Sequence, residues 1–212
     1  QERCENMPWV LNDKTPFIVT QKCDGSSGTY ILERKKTLFG AKYEFYVCSR
    51  NVRMYDEGQE CFYGKHNYYW EVANKYHIYD KMKDYLKKNK NATFVCWQGE
   101  VCAPGIQSNP HRLSETHFYC FHWTDSVNGR LDIRKANELW REYFMEVVPI
   151  VNDNYIMPDD FEEFKKTADG YYDSEVCEGY RDCKREGFVY YSANDPTFSF
   201  KNVSREYLLK QK

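Results

Sequence analysis

Nine cysteines, set at wide intervals through 212 residues, constrain this chain more than any other feature of its sequence. Cys4, Cys23, Cys48, Cys61, Cys96, Cys102, Cys120, Cys177 and Cys183 do not form the two tight pairs of a zinc site. Their spacing suits an oxidised extracellular framework, with up to four bridges and one thiol left over. Cys4 with Cys23 would tie down the N-terminal segment, but nine cysteines allow many connectivities. The odd thiol could be buried or could link two chains. Two acceptor sequons, Asn91-Ala92-Thr93 and Asn202-Val203-Ser204, make Asn91 and Asn202 candidate glycosylation sites and agree with a secreted, extracellular protein. The chain opens Gln1-Glu2-Arg3-Cys4 without an apolar leader, which fits a mature product after signal removal. No apolar run approaches the ~20 residues of a membrane helix, so no membrane partner is expected.

Charged residues make up 29% of the chain, yet the formal charge is only −2, which argues against a polyanion partner. The basic pieces Glu33-Arg34-Lys35-Lys36 and Lys81 to Lys90 are short, mixed with acids, and read as solvated faces. Nucleic acid is therefore excluded as a partner at this level.

Hydrophobic periodicity places mostly strands in the first part. Thr15 to Thr20 and Thr29 to Glu33 are extended, separated by the turn signal Asp24-Gly25-Ser26-Ser27-Gly28. Ala41 to Ser49 alternates cleanly, with Tyr43, Phe45 and Val47 against Lys42, Glu44 and Tyr46. Asn67 to Tyr79 alternates around Tyr68, Trp70 and Val72 and reads as a long strand broken near Ala73-Asn74. Asp80 to Lys90 can form a helical turn with Met82, Tyr85 and Leu86 on one face. Thr93 to Gln98 and Thr116 to Thr124 add two strands. From Leu131, Ala136, Leu139, Trp140, Tyr143, Phe144 and Val147 fall at helical spacing, with Asp132 as cap and Pro149 as stop. A shorter helix opens at Pro158-Asp159-Asp160 and carries Phe161 and Phe164. A cysteine loop, Cys177 to Cys183, and a last strand, Gly187 to Ser192, follow. The fold class is mainly β (α+β): an antiparallel meander or barrel, disulfide-stapled, with one strong amphipathic helix packed on it and a short second helix. The chain reads as a single domain over 1–212, with the sheet at about 15–125 and the helical and C-terminal part at about 131–212.

The stretch Phe94 to Asp125 concentrates three cysteines and the pair His117 and His122. Five apart on a strand, these histidines fall on opposite faces, a poor arrangement for a shared metal. Two histidines could run phosphodiester cleavage, which keeps a secreted ribonuclease-like enzyme as a third reading. No nucleophile elbow, phosphate-binding loop, dinucleotide fingerprint or zinc-protease helix occurs, so the chain is expected not to be an enzyme and to carry no metal and no cofactor. Aromatic residues reach 17%, and tyrosine in particular suits a ligand cavity or a contact surface.

The order of strand meander, amphipathic helix and terminal strand, with the early Trp9, the scattered cysteines and the sequons, resembles the lipocalins. It is similar in particular to the divergent, cysteine-bridged salivary lipocalins of blood-feeding arthropods, over roughly Trp9 to Val148. That resemblance implies a closed barrel capturing a small hydrophobic or amine ligand and sequestering a host mediator. Tyr43, Phe45, Trp70, Tyr119 and Phe121 are then the cavity candidates, with Glu44 or Glu71 as an amine partner if the phase is reversed. The alternative is a secreted inhibitor or immune modulator that binds a host protein through an exposed aromatic surface.

Overall fold

The computed structural model describes residues 1–178 and 182–210; the centre of the Cys177 to Cys183 loop lies outside the described residues. Its strands are β1 (Glu2–Arg3), β2 (Phe17–Gln21), β3 (Ser26–Thr37), β4 (Gly40–Cys48), β5 (Arg53–Met54), β6 (Phe94–Cys102), β7 (His117–Asp125), β8 (Gly129–Arg130), β9 (Ile150–Tyr155), β10 (Gly187–Ser192) and β11 (Ser199–Val203). Its helices are α1 (Tyr68–Lys75), α2 (Ile78–Lys88), α3 (Ile133–Glu142), α4 (Phe161–Lys166) and α5 (Arg205–Lys210). The chain forms two compact units. One comprises Gln1–Asp24, Pro110–Leu113 and Val148–Lys212; the other comprises Gly25–Asn109 and Ser114–Val147.

The first unit is built on a five-stranded sheet in the order β1-β11-β10-β2-β9. Every residue of β2 and of β10 is buried, so neither strand shows the alternation of a half-exposed one. Phe17 and Val19, Phe188 and Tyr190, and Phe200 form one side of a core that also takes Val10, Met157 and Phe164. Tyr190 and Phe200 lie nearly parallel, 5.2 Å between centroids. Phe164 comes from α4, whose start is fixed as its sequence predicts: the Asp160 carboxylate accepts the Glu163 N–H at 2.6 Å. Gly187 to Ser192 is not the last strand, because β11 and α5 follow it.

The second unit holds a six-stranded sheet ordered β5-β4-β3-β6-β7-β8. Its paired strands are all antiparallel. The long β3–β4 hairpin pairs Thr29 with Cys48 at one end and Thr37 with Gly40 at the tip. The two-residue strands β5 and β8 are its edges and do not pair with each other, so the sheet stays open where a closed barrel was expected. Helices α1, α2 and α3 cover the face that carries Tyr30, Leu32, Val47, Trp97, Val101 and Trp123. Trp140 of α3 sits 5.9 Å from Trp123.

Asn67 to Tyr79 is helix, not strand. Tyr69, Val72 and Ala73 are buried at three and four spacing, a pattern the apparent alternation of Tyr68, Trp70 and Val72 conceals. The Asn67 side chain caps α1 by accepting the Trp70 N–H, and the turn to α2 passes through His77 at φ 50°. Helix α3 starts at its Asp132 cap as expected but ends at Glu142, well before Pro149. Phe144 turns left-handed there, at φ 53°, and is 88% exposed.

No two of the nine sulfurs are joined in a disulfide. Cys4, Cys23, Cys102, Cys120, Cys177 and Cys183 are buried and pack as small apolar residues. Burial pushes the thiols of Cys4 and Cys96 up to about 11 and raises that of Cys120. The crosslinked framework read from cysteine spacing is therefore replaced by two cores, which at this chain length need no staples.

Candidate functional site

The end of β2 carries the chemistry of the first unit. Strands β2 and β10 run antiparallel with Gln21 opposite Phe188, and the Lys22 N–H donates to the Gly187 carbonyl at 3.0 Å. That register sets Lys22 beside Glu186, and the ammonium lies 2.7 Å from the carboxylate. The two side chains are only 18% and 15% exposed. Burial raises the Glu186 carboxyl above its ordinary range, opposed by the charge of Lys22 and, less, of Lys201. Lys201 stands opposite Val189, on the next strand of the same sheet. Gly187 is obligatory in this arrangement: its φ is +144°, and a Cβ would fall 2.1 Å from the Asn202 carbonyl oxygen.

Asp24, two residues after Lys22, is held through both its backbone and its side chain. Its N–H donates to His111 Nε2 at 3.0 Å, and Tyr207 donates its hydroxyl to the carboxylate. Nδ1 of His111 donates to the Val176 carbonyl at 2.8 Å, so both ring nitrogens are engaged and the hydrogen bonds assign a neutral imidazole. His111 is 1% exposed and lies against the Tyr172 ring, 4.3 Å between centroids. Burial raises the Asp24 carboxyl, while the Tyr207 hydrogen bond and Lys22 oppose the shift. The arrangement presents a primary amine, a carboxylate able to take its proton, and a second carboxylate in fixed orientation.

The second unit begins at Gly25, whose N–H donates to Glu100 at 3.2 Å. A Cβ on Gly25 would lie 2.3 Å from the Val101 carbonyl oxygen, so only glycine lets the chain approach β6 this closely. Gln98, Glu100 and Cys102 share one face of β6, opposite His122, Tyr119 and His117 on β7. A bulge between Gln98 and Gly99, with Phe121 as the extra residue, brings His117 and His122 onto that common face. The opposite-face reading of these histidines fails for that reason. They nonetheless serve separate contacts. His117 pairs with Glu146 at 2.8 Å, which raises its pKa, and His122 contacts Gln98 at 3.0 Å while burial pushes it down to about 3.

The cavity candidates are distributed over separate contacts. Phe45 packs on Trp70 at 5.9 Å and on Tyr79 at 5.7 Å, under the helices. Tyr43 lies 5.3 Å from the Lys83 ammonium, Tyr119 stacks on His117 on the opposite face, and Phe121 is the bulge residue. Glu44 is paired with Lys35 and Lys42, and Glu71 with His66. Asn91 is exposed just after α2, whereas Asn202 is fully buried and donates its amide to the Phe164 carbonyl at 2.9 Å. Lys22, Asp24, Glu186 and Lys201 were not singled out by sequence reasoning. The available signal was Lys22-Cys23-Asp24-Gly25, an ionisable pair directly after a fully apolar strand start, which reads as a turn when only Asp24-Gly25 is weighed.

A sequence model of the RNA ligase family matches residues 15–208. A search of curated protein sequences finds no match. Solved structures of Naegleria gruberi RNA ligase superpose with a TM-score of 0.75 at 26% identity, covering 99% of this chain and 56% of that one. This chain thus spans little more than half the length of the solved relative. One of those structures is a lysine-to-alanine variant with ATP and manganese, and another replaces the aspartate two positions after that lysine. A third holds pyrophosphate. These findings overturn the lipocalin resemblance, the non-enzymatic scavenger with its small hydrophobic or amine ligand, the rival host-protein inhibitor and the exclusion of nucleic acid. Near-neutral overall charge misled the last of these, because a balanced total conceals how charge is distributed.

Proposed function

The chain belongs to the RNA ligase family, and on that premise we propose that it is the nucleotide-charging part of an ATP-dependent RNA-joining enzyme, with Lys22 as nucleophile. The observation that carries this reading is the Lys22 amine, 2.7 Å from Glu186 and two residues before Asp24. The same lysine-then-aspartate spacing is the one substituted in the Naegleria enzyme.

ATP on one side and pyrophosphate on the other define the bond that breaks, between the α- and β-phosphates. The nucleophile therefore attacks the α-phosphorus. Before it can do so, the Lys22 ammonium must lose a proton, and the Glu186 carboxylate is positioned to accept it. The nitrogen lone pair then forms the N–P bond, the P–O bond to the β-phosphate breaks, and pyrophosphate leaves with the electron pair. The phosphoramidate so formed is a store of activated AMP. A terminal phosphate of RNA attacks it, breaking the N–P bond and returning the amine. The hydroxyl at another RNA end then attacks that activated phosphate and expels AMP. Asp24 and Lys201 contribute fixed charges of opposite sign, Lys201 suited to phosphate oxygens. Manganese accompanies ATP in the relative. Among the described residues here no group of three His, Cys, Asp or Glu side chains is gathered to hold a metal ion.

Incubation with ATP labelled at the α-phosphate, followed by denaturing electrophoresis, tests the proposal. The wild-type chain is expected to retain label, Lys22→Ala to retain none, and Glu186→Gln to label at least about tenfold more slowly. ATP labelled at the γ-phosphate should leave no label on the protein. Equal labelling of wild type and Lys22→Ala would end the assignment.

A further inference from the structure

The tip of the β3–β4 hairpin is the most exposed apolar point of the described chain. Leu38 is 96% exposed and Phe39 100%. Turn geometry does not demand either residue. Gly40, at φ +137°, supplies the unusual backbone the reversal needs, and polar residues are the common occupants of such turns. Nor does packing demand them, since the helix-covered core begins further down the hairpin with Leu32 and Tyr30.

The arms beside the tip are cationic. From Glu33 to Glu44 the hairpin carries Arg34, Lys35, Lys36 and Lys42 against the two glutamates, a local balance of +2 in a chain whose total is −2. Lys36 makes no ion pair among the described residues, while Lys35 and Lys42 meet Glu44 in solvent-exposed pairs. Exposed pairs of this kind contribute little and exchange readily for another anion. Lys35 and Lys42 pair across the hairpin on one face, while Lys36 and Tyr43 lie on the other, where Lys83 stands 5.3 Å from Tyr43 and 5.2 Å from Tyr79.

We propose that this tip is an RNA-docking element: Phe39, flanked by Leu38, stacks on an unpaired base while Lys35, Lys36 and Lys42 take the adjoining phosphates. An aromatic ring beside several ammonium groups is what single-stranded nucleic acid recognition requires, because every base offers a π-face and every linkage a charge. The lysines make the site complementary to a polyanion and poorly suited to self-association. The inference rests on the RNA-joining reading and deepens it by specifying an unpaired segment of RNA as the ligand of this hairpin.

Two readouts separate this inference from that reading. Labelling of Lys22 by ATP needs no RNA, and the paired substitution Leu38→Ser with Phe39→Ser should leave it unchanged. The same variant should bind a fluorescein-labelled single-stranded RNA oligonucleotide about tenfold more weakly by anisotropy. Lys36→Glu with Lys42→Glu should weaken binding and flatten its salt dependence. Phe39→Trp should show indole fluorescence quenched on adding the oligonucleotide. Unchanged RNA affinity in the serine variant together with an unquenched Phe39→Trp would overturn the proposal. So would sedimentation showing that the wild-type chain self-associates and the serine variant does not, which would assign the tip to a second copy. Loss of wild-type labelling with RNA binding intact would instead strike only the nucleotide-charging reading.

Discussion

His122 is half-buried in the second unit, and desolvation, aided by the charge of Arg130, lowers its pKa to about 3. In an unfolded chain the same imidazole titrates near 6.5. Between these values the unfolded state binds a proton that the folded state refuses, so this residue makes stability fall as pH falls, by about 1.4 kcal/mol per unit across the window. His122→Gln should therefore flatten the pH dependence of urea midpoints between about 6.5 and 3, while leaving their values near pH 8 little changed. His117 differs, because the Glu146 carboxylate raises its pKa. Sequence could nominate both histidines, but it could not assign opposite shifts to them, which depend on the Glu146 carboxylate reaching one ring and on desolvation of the other. Lys22 escaped for a related reason. A lysine before a glycine turn is ordinary on a surface; what distinguishes this one is Glu186, brought across by strand pairing.

At the level of elements, the legible parts were those whose signal is local. The alternation of β4, the acid-capped start of α4 and the Asp132 cap of α3 all follow from neighbours within one or two turns. The α1 segment was misread because Tyr68, Trp70 and Val72 satisfy a period of two over a short window, while its defining contacts lie outside that window. Asn67 makes two of them, donating to the carbonyls of Gln59 at 2.9 Å and Asp56 at 3.3 Å, while its side-chain oxygen accepts the Trp70 N–H at 3.3 Å. Asn67→Ala should cost about 1–3 kcal/mol in chemical denaturation, more than a simple cap, since two carbonyls lose their donor as well. The bulge at Phe121 was equally invisible. One added residue leaves no mark in composition but reverses which side chains upstream of it share a face with His122.

Across the whole molecule, the cysteines gave the most misleading signal. Their number and spacing fit a crosslinked exterior protein, yet they sit in or beside two cores without bonding to one another. The melting temperature should accordingly be the same with and without a thiol reductant, to within about 2 °C, when followed by circular dichroism. Bridges worth about 2–5 kcal/mol each would instead depress it markedly on reduction. The two sheets are each assembled from distant stretches, β2 with β10 and β3 with β6, so pairing rather than local preference sets the architecture. Lys22 and Glu186 stand 164 positions apart. During synthesis the Lys22 amine leaves the ribosome long before the Glu186 carboxylate with which it pairs. On the proposed mechanism, a product ending before β10 would carry the Lys22 amine without the carboxylate proposed to take its proton.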